Sequence, residues 1–232
     1  MALKRNEFDN GAALAEALAT HVAKALADAV ALRGKASIAV SGGSTPKAFF
    51  KALSAKPIAW DKVNITLVDE RFVPADNARS NHKLAADMLL QANAASANFI
   101  PLYHAAADAD AAAVLATAET ASLSSPFDVV ILGMGNDGHT ASFFPGGNHL
   151  ADALDAARPR GIMTMEADGA GEPRLTFSFS ALQDARLLIL HIEGAEKASV
   201  LDKALAGSDE AEMPVRAILN RASSPVEVYW AP

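Results

Sequence analysis

Between Phe127 and Gly147 the chain reads FDVVILGMGNDGHTASFFPGG, and this stretch constrains the fold more than any other. Phe127, Val129, Val130, Ile131 and Leu132 form a short apolar, β-branched run without alternation. A strand with one wet face alternates, so a strand that does not alternate is covered on both faces, as inside a parallel sheet. Gly133, Gly135 and Gly138 follow at once, with Asp137 and His139 among them. Glycine reaches positive φ without a Cβ penalty, which lets the backbone turn sharply and approach a ligand closely. Ligands in open α/β sheets bind outside the carboxyl ends of the strands, and Asp137 and His139 fall there.

Two other readings compete. Gly133-x-Gly135-x-x-Gly138 has the spacing of a dinucleotide fingerprint, which needs a helix opening at the third glycine and an acidic residue about 20 positions on, after a second strand. Pro145-Gly146-Gly147 halts such a helix early, and Asp152 and Asp155 lie in an alanine-rich segment with no strand before them. Alternatively, the stretch is a structural turn whose Asp137 and His139 merely bond to the backbone. That reading explains each residue singly but leaves Asp-Gly-His-Thr on one glycine-rich turn as coincidence.

Composition narrows the classes. A chain of 232 residues, 51% of them hydrophobic, buries a sizeable core, and with no break in composition one domain over residues 1–232 is expected. No apolar run approaches the roughly 18 residues of a membrane span, so no membrane partner is expected. The amino-terminal MALKRNEFDN is charged and lacks an apolar signal region, and a cytoplasmic location is the default expectation. With no cysteine, disulfide and thiolate chemistry are excluded. A net charge of -7 argues against nucleic-acid binding and requires that any anionic ligand meet a local cluster of cations and N–H groups.

In chain order, apolar residues at a spacing of four (Leu14, Leu18, Val22, Leu26, Val30) predict a long amphipathic helix over 11–33, ending near Gly34. A strand over 37–41 leads into Gly42-Gly43-Ser44-Thr45-Pro46, a loop opening a helix. Free N–H groups, hydroxyls and a helix amino end are the ingredients of a phosphate cradle, although an ordinary cap by Ser44 or Thr45 accounts for the loop equally well. A strand over 63–69 ends in Asp69-Glu70-Arg71, charges placed better for a site than for a surface face, and Ser80-Asn81 supplies a helix cap that can also face a ligand. Helices are expected from His82 to Leu90, over 105–121 and over 149–157, with a short strand at 99–102. Strands at 162–166 and 174–179 flank a hairpin loop. A strand over 186–192 leads to a helix whose first turn holds Lys197, a cation placed against the helix dipole, which fits an anionic partner and equally an exposed lysine. A helix over 214–221 and a strand over 226–230 follow. The expected class is α/β: a doubly wound, mainly parallel sheet with helices on both faces and a small β-hairpin insertion.

These motifs together resemble those of the 6-phosphogluconolactonases of the pentose phosphate pathway, relatives of the glucosamine-6-phosphate deaminases. The resemblance is carried by Ser41 to Pro46, by Asp69 to Pro74 with Ser80-Asn81, by Gly133 to Ser142 running on to Phe144-Pro145-Gly146, and by Pro173 to Thr176 with Lys197. Phe143 stands where leucine is usual, and Phe177-Ser178 where the family tends to Leu-Thr. The resemblance implies hydrolysis of 6-phospho-D-glucono-1,5-lactone to 6-phosphogluconate, with His139 as general base and Asp137 orienting its ring. It implies substrate and phosphate contacts from Gly42, Gly43, Ser44, Asp69, Arg71, Asn81, Arg174 and Lys197. A histidine of ordinary pKa, about 6.5, can take a proton from water near neutral pH. N–H groups of the glycine turn are further candidates for holding the oxyanion. A lactone is already activated, so neither cofactor nor metal is expected, and His82, His104, His149 and His191 lack ligand spacing. The deaminase pattern carries a glutamate five residues beyond the histidine, where this chain has Phe144. A non-catalytic sugar-phosphate sensor would add a DNA-binding segment for which no basic region is present. The expected partner is the small lactone, with the chain a monomer or a small homo-oligomer.

Overall fold

The computed structural model describes residues 3–232. Its main sheet has seven strands in the order β1 (Lys4–Glu7), β10 (Val226–Ala231), β9 (Leu187–Glu193), β6 (Val129–Leu132), β2 (Ala36–Val40), β3 (Val63–Leu67) and β5 (Asn98–Phe99). All six pairings are parallel. From β2 the chain winds outward through β3 to β5, and from β6 it winds the other way through β9 and β10. The direction reverses between β2 and β6, the neighbours at the centre, and a switch point of this kind opens a crevice at the carboxyl ends of the strands.

Every residue of β2 and β6 is buried, as the unbroken apolar run of β6 and the apolar β2, interrupted only by Ser37, require. The helix α1 (Gly11–Arg33) is capped by Asn10, which accepts from Ala13 N–H at 2.9 Å, and ends at Gly34 with φ 75°. It buries Leu14, Leu18, Val22 and Leu26 completely, and burial of each such side chain contributes about 1.5–3 kcal/mol. At the opposite end of the sheet from the crevice, the Asp128 carboxylate is buried just before β6. It accepts from Arg33 Nη2 (2.5 Å) and Ser37 N–H (2.8 Å) and lies 3.3 Å from Arg186 Nε, tying together the starts of three central strands.

A second sheet is antiparallel, in the order β4 (Asp69–Arg71), β8 (Arg174–Phe177) and β7 (Ile162–Met165). The expected hairpin is β7 and β8, and it gains a third strand. The strand expected over 63–69 stops at Leu67, and Asp69 joins Glu70 and Arg71 in β4 instead. The chain changes sheets at Val68, whose N–H donates to Val40 O (2.9 Å) while its carbonyl accepts from Phe177 N–H (3.0 Å). The remaining helices are α2 (Lys47–Ser54), α3 (Asn81–Met88), α4 (Ala109–Thr120), α5 (Leu150–Ala153), α6 (Phe179–Leu182), α7 (Ala195–Ala206) and α8 (Val215–Arg221). The helix expected over 149–157 is thus one short turn, since Asp155 accepts from Ala157 N–H and folds the chain out of the helix. No helix among the described residues is long and apolar enough to cross a membrane.

Candidate active site

The loops after β2 and β6 meet β4 and the start of α7 around a cleft of about 300 Å³ at the switch point. Nine of the residues singled out from the sequence line it: Gly42, Gly43, Ser44, Asp69, Arg71, Asn81, His139, Arg174 and Lys197. Asp137, the tenth, stands behind His139, with its Oδ1 2.6 Å from Nδ1 of the ring and accepting the His139 N–H at 3.0 Å. Burial works against the Asp137 charge, but the hydrogen bonds from the ring and the N–H of His139, joined by the ring's charge whenever it is protonated, outweigh it and hold the carboxyl below its ordinary value of 3.8. An ionised carboxylate can only accept, so Nδ1 carries the proton and Nε2 keeps its lone pair. The ring is also packed against Phe144, with centroids 4.5 Å apart.

The glycine turn is built around this pair. Of its three glycines only Gly138 takes a positive φ, 80°. Gly135 serves close approach instead: a Cβ there would lie 2.1 Å from His139 Nδ1 and 2.5 Å from Asp137 Oδ1. No helix opens at Gly138, which removes the dinucleotide reading. The amides of Gly135 and Gly138 donate to His139 O and Gly135 O, so these two N–H groups are not the oxyanion donors expected of the turn.

Across the cleft, the amides of Gly42 to Thr45 find no acceptor among the described residues, and no side chain caps α2. The capping by Ser44 or Thr45 that competed with the phosphate reading is therefore absent, and the amino end of α2 is open. Three cations, Arg71, Arg174 and Lys197, face the cleft against one carboxylate, Asp69. This is the local positive field that a chain of net charge -7 needs for an anionic ligand. Burial lowers the pKa of Lys197, opposed by the charges of Glu196 and Asp137, and its Nζ is held by Asn136 Oδ1. Arg174 is largely committed within the protein, since Nε and Nη2 both donate to Ala170 O, Nη1 lies 3.9 Å from Asp69 Oδ2, and the guanidinium sits over the Phe144 ring. Burial lowers its pKa, while Asp69 opposes the shift. Asp69 is held by Ser142, whose Oγ donates to Oδ2 at 2.5 Å.

Asn81 is spent inside the protein as well: Nδ2 donates to Asp69 O (2.9 Å) and Oδ1 accepts from Arg71 Nη1 (3.0 Å). Two residues of the site were not found from the sequence. His191, in β9, lines the cleft floor with Nε2 3.0 Å from Glu193 Oε1. Glu70 is fully buried and organises the loop beneath Arg71, a role within the site that the charged triplet alone did not assign to it. Among the described residues no three His, Asp or Glu side chains gather as a metal ion would require.

A parallel sheet with a switch-point cleft, a His–Asp pair and an open cationic cradle defines a class of sugar-phosphate enzyme folds. The model of the glucosamine-6-phosphate isomerase/6-phosphogluconolactonase family matches residues 9–230, and the chain belongs to that family. It is 63% identical over 232 residues to a 6-phosphogluconolactonase of Rhizobium meliloti (strain 1021), covering all of both chains. It is 53% identical to a 6-phosphogluconolactonase of Mesorhizobium japonicum, covering 98% of this chain and 94% of that one. The crystal structure of a 6-phosphogluconolactonase from Shewanella baltica superimposes with a TM-score of 0.96 at 42% identity, covering 100% of this chain and 98% of that one.

Proposed function

We propose that this protein is a lactone hydrolase that converts 6-phosphogluconolactone to 6-phosphogluconate in the pentose phosphate pathway, with His139 as general base. The observation that carries the assignment of the base is the 2.6 Å contact between His139 Nδ1 and Asp137 Oδ1. It leaves Nε2 free to take a proton from water, and Asp137 steadies the imidazolium that forms. General-base help of this kind is worth about 10²- to 10⁴-fold. The substrate phosphate is taken by the unpaired amides of Gly42 to Thr45 at the amino end of α2, with Arg71 and Lys197 supplying charge. Binding at that remote group orients the ring so that C1 meets the water. The excess of cations over Asp69 opposes the charge that develops on the carbonyl oxygen. Asn81 and Arg174 act mainly by holding Arg71 and Asp69 in place. Phe144 lies against His139 where a deaminase-type proton shuttle would need a carboxylate, which favours hydrolysis over ring-opening isomerisation.

The test is steady-state hydrolysis of freshly generated 6-phosphogluconolactone, corrected for spontaneous opening, by wild type and His139→Ala. The variant is expected to lose at least about 10²-fold in kcat while KM stays within about threefold. A variant with near wild-type kcat removes His139 from the role of base. A wild type that does not accelerate opening above background removes the lactonase reading itself.

A further inference from the structure

We propose that Glu70 is a positioning residue: its buried carboxylate closes the amino end of α3 and folds the loop over 71–81 so that Arg71 is presented to the cleft. The inference rests on the anion-binding role given to Arg71 above. Helices begin with N–H groups that lack partners, and the dipole makes such ends attractive to anions. Three helix amino ends, those of α2, α3 and α7, belong to segments that line this cleft, and those of α2 and α3 differ. In α3 the N–H groups of Asn81 and His82 each donate to Glu70 at 2.7 Å, and that of Lys83 donates to Ser80 Oγ at 3.2 Å. All three are thus consumed by the protein. In α2 no side chain caps the end, and the amides of the preceding loop are unpaired among the described residues. One end is filled by an internal carboxylate, and the other is left for a ligand.

Glu70 does more than cap. Its Oε1 also accepts from Arg71 N–H (2.7 Å), and Oε2 accepts from Ser80 Oγ (2.9 Å), so one carboxylate draws residues 71, 80, 81 and 82 together. Arg71, fixed at its backbone, returns Nη1 to Asn81 Oδ1 and Arg79 O, while its Nε is buried without a partner among the described residues. The Asn81 side chain in turn lies where a Cβ on Gly42 would be, 1.9 Å from Oδ1. A continuous set of contacts therefore runs from Glu70 through Arg71 and Asn81 to the cradle loop. Burial raises the pKa of Glu70, and its four donors oppose that shift. Three of those donors are backbone N–H groups that can only donate, so they match a carboxylate and not an amide. In Glu70→Gln, whichever position the NH₂ takes, it meets at least one of them.

The experiment compares wild type, Glu70→Gln and Glu70→Asp by kcat and KM for the phosphorylated lactone, by calorimetric titration with inorganic phosphate, and by thermal melting. Glu70→Gln is expected to raise both KM and the phosphate Kd about tenfold, the loss of roughly one charge-assisted contact, with kcat within about threefold of wild type. A carboxylate with only a structural role would lower the melting temperature and leave the phosphate Kd unchanged. A folded Glu70→Gln with phosphate Kd within about twofold of wild type, or one whose kcat falls as far as kcat/KM, overturns the proposal. If Glu70→Gln shows no cooperative melt, Glu70→Asp decides: it keeps the charge but retracts it by one methylene, and an unchanged phosphate Kd there overturns the proposal equally. A wild type that binds phosphate but hydrolyses no lactone refutes the proposed function and leaves the phosphate titrations to decide the role of Glu70. One that binds no phosphate refutes the proposal for Glu70.

Discussion

Replacing Gly135 by alanine alters neither member of the His139–Asp137 pair chemically and should nonetheless disable it. A Cβ at this position would lie 2.1 Å from His139 Nδ1, 2.2 Å from Cε1 and 2.5 Å from Asp137 Oδ1, whereas ordinary contact begins at 3.4 Å. The imidazole must therefore retreat by about 1.3 Å, and a misplacement of about 1 Å at a reacting group costs on the order of 10²-fold in rate. Gly135 does not adopt a positive φ, so alanine imposes no backbone strain, and the Gly135 N–H bond to His139 O can persist. The expected result is a fall of about 10²-fold in kcat, equivalent to about 2.7 kcal/mol of transition-state stabilisation, with KM changed by less than about threefold. Steady-state hydrolysis of the phosphorylated lactone measures this, and a thermal melt guards against trivial unfolding. A Gly135→Ala enzyme with kcat within about threefold of wild type would show that the position of the ring against Asp137 is unimportant, refuting the reasoning that ties the pair to the rate.

The carboxylate itself can be tested apart from geometry. Asp137→Asn should lower kcat by about 10- to 100-fold, the worth of one partly exposed charge-assisted hydrogen bond, and a variant with unaltered kcat would remove Asp137 from the mechanism. Because the folded pKa of Asp137 lies below 3.8, its contribution is present above the unfolded value and is lost only as pH falls through the folded one. At the far end of the sheet, Asp128→Ala leaves Ser37 N–H without its acceptor and frees two arginines. It should cost about 2–4 kcal/mol of stability and lower Tm by about 4–16 °C while leaving kcat within about twofold, as differential scanning calorimetry and kinetics would show.

Much of the site was legible because short-range chemistry marked it. The unbroken apolar run of β6 and the glycines behind it point to a buried strand with a tight turn at its carboxyl end, and both lie at the centre of the sheet. Ser41 to Pro46 is likewise a loop between strand and helix. What escaped depended on contacts distant in sequence. Nothing local to Val68 signals that its carbonyl is taken by Phe177, so the strand is expected to run on to Asp69. Glu70 belongs to a triplet placed for a site, but its own part depends on residues 80–82, which close over it from ten positions away. β1 carries Lys4, Arg5 and Glu7, a polar composition that suits an edge strand and gives no apolar signal, so its pairing with β10 was missed. α5 failed for the opposite reason: alanine and aspartate composition suggested a longer helix than the turn at Asp155 permits.

The crossing of the chain at Val68 has a mechanical meaning. One residue gives its N–H to the large sheet and its carbonyl to the small one, so the two sheets share a single stitch directly behind Asp69. Separating the sheets at that point would leave the N–H and the C=O of a fully buried residue both without partners. Val68 therefore pins the end of the small sheet that carries Asp69 to the centre of the large one.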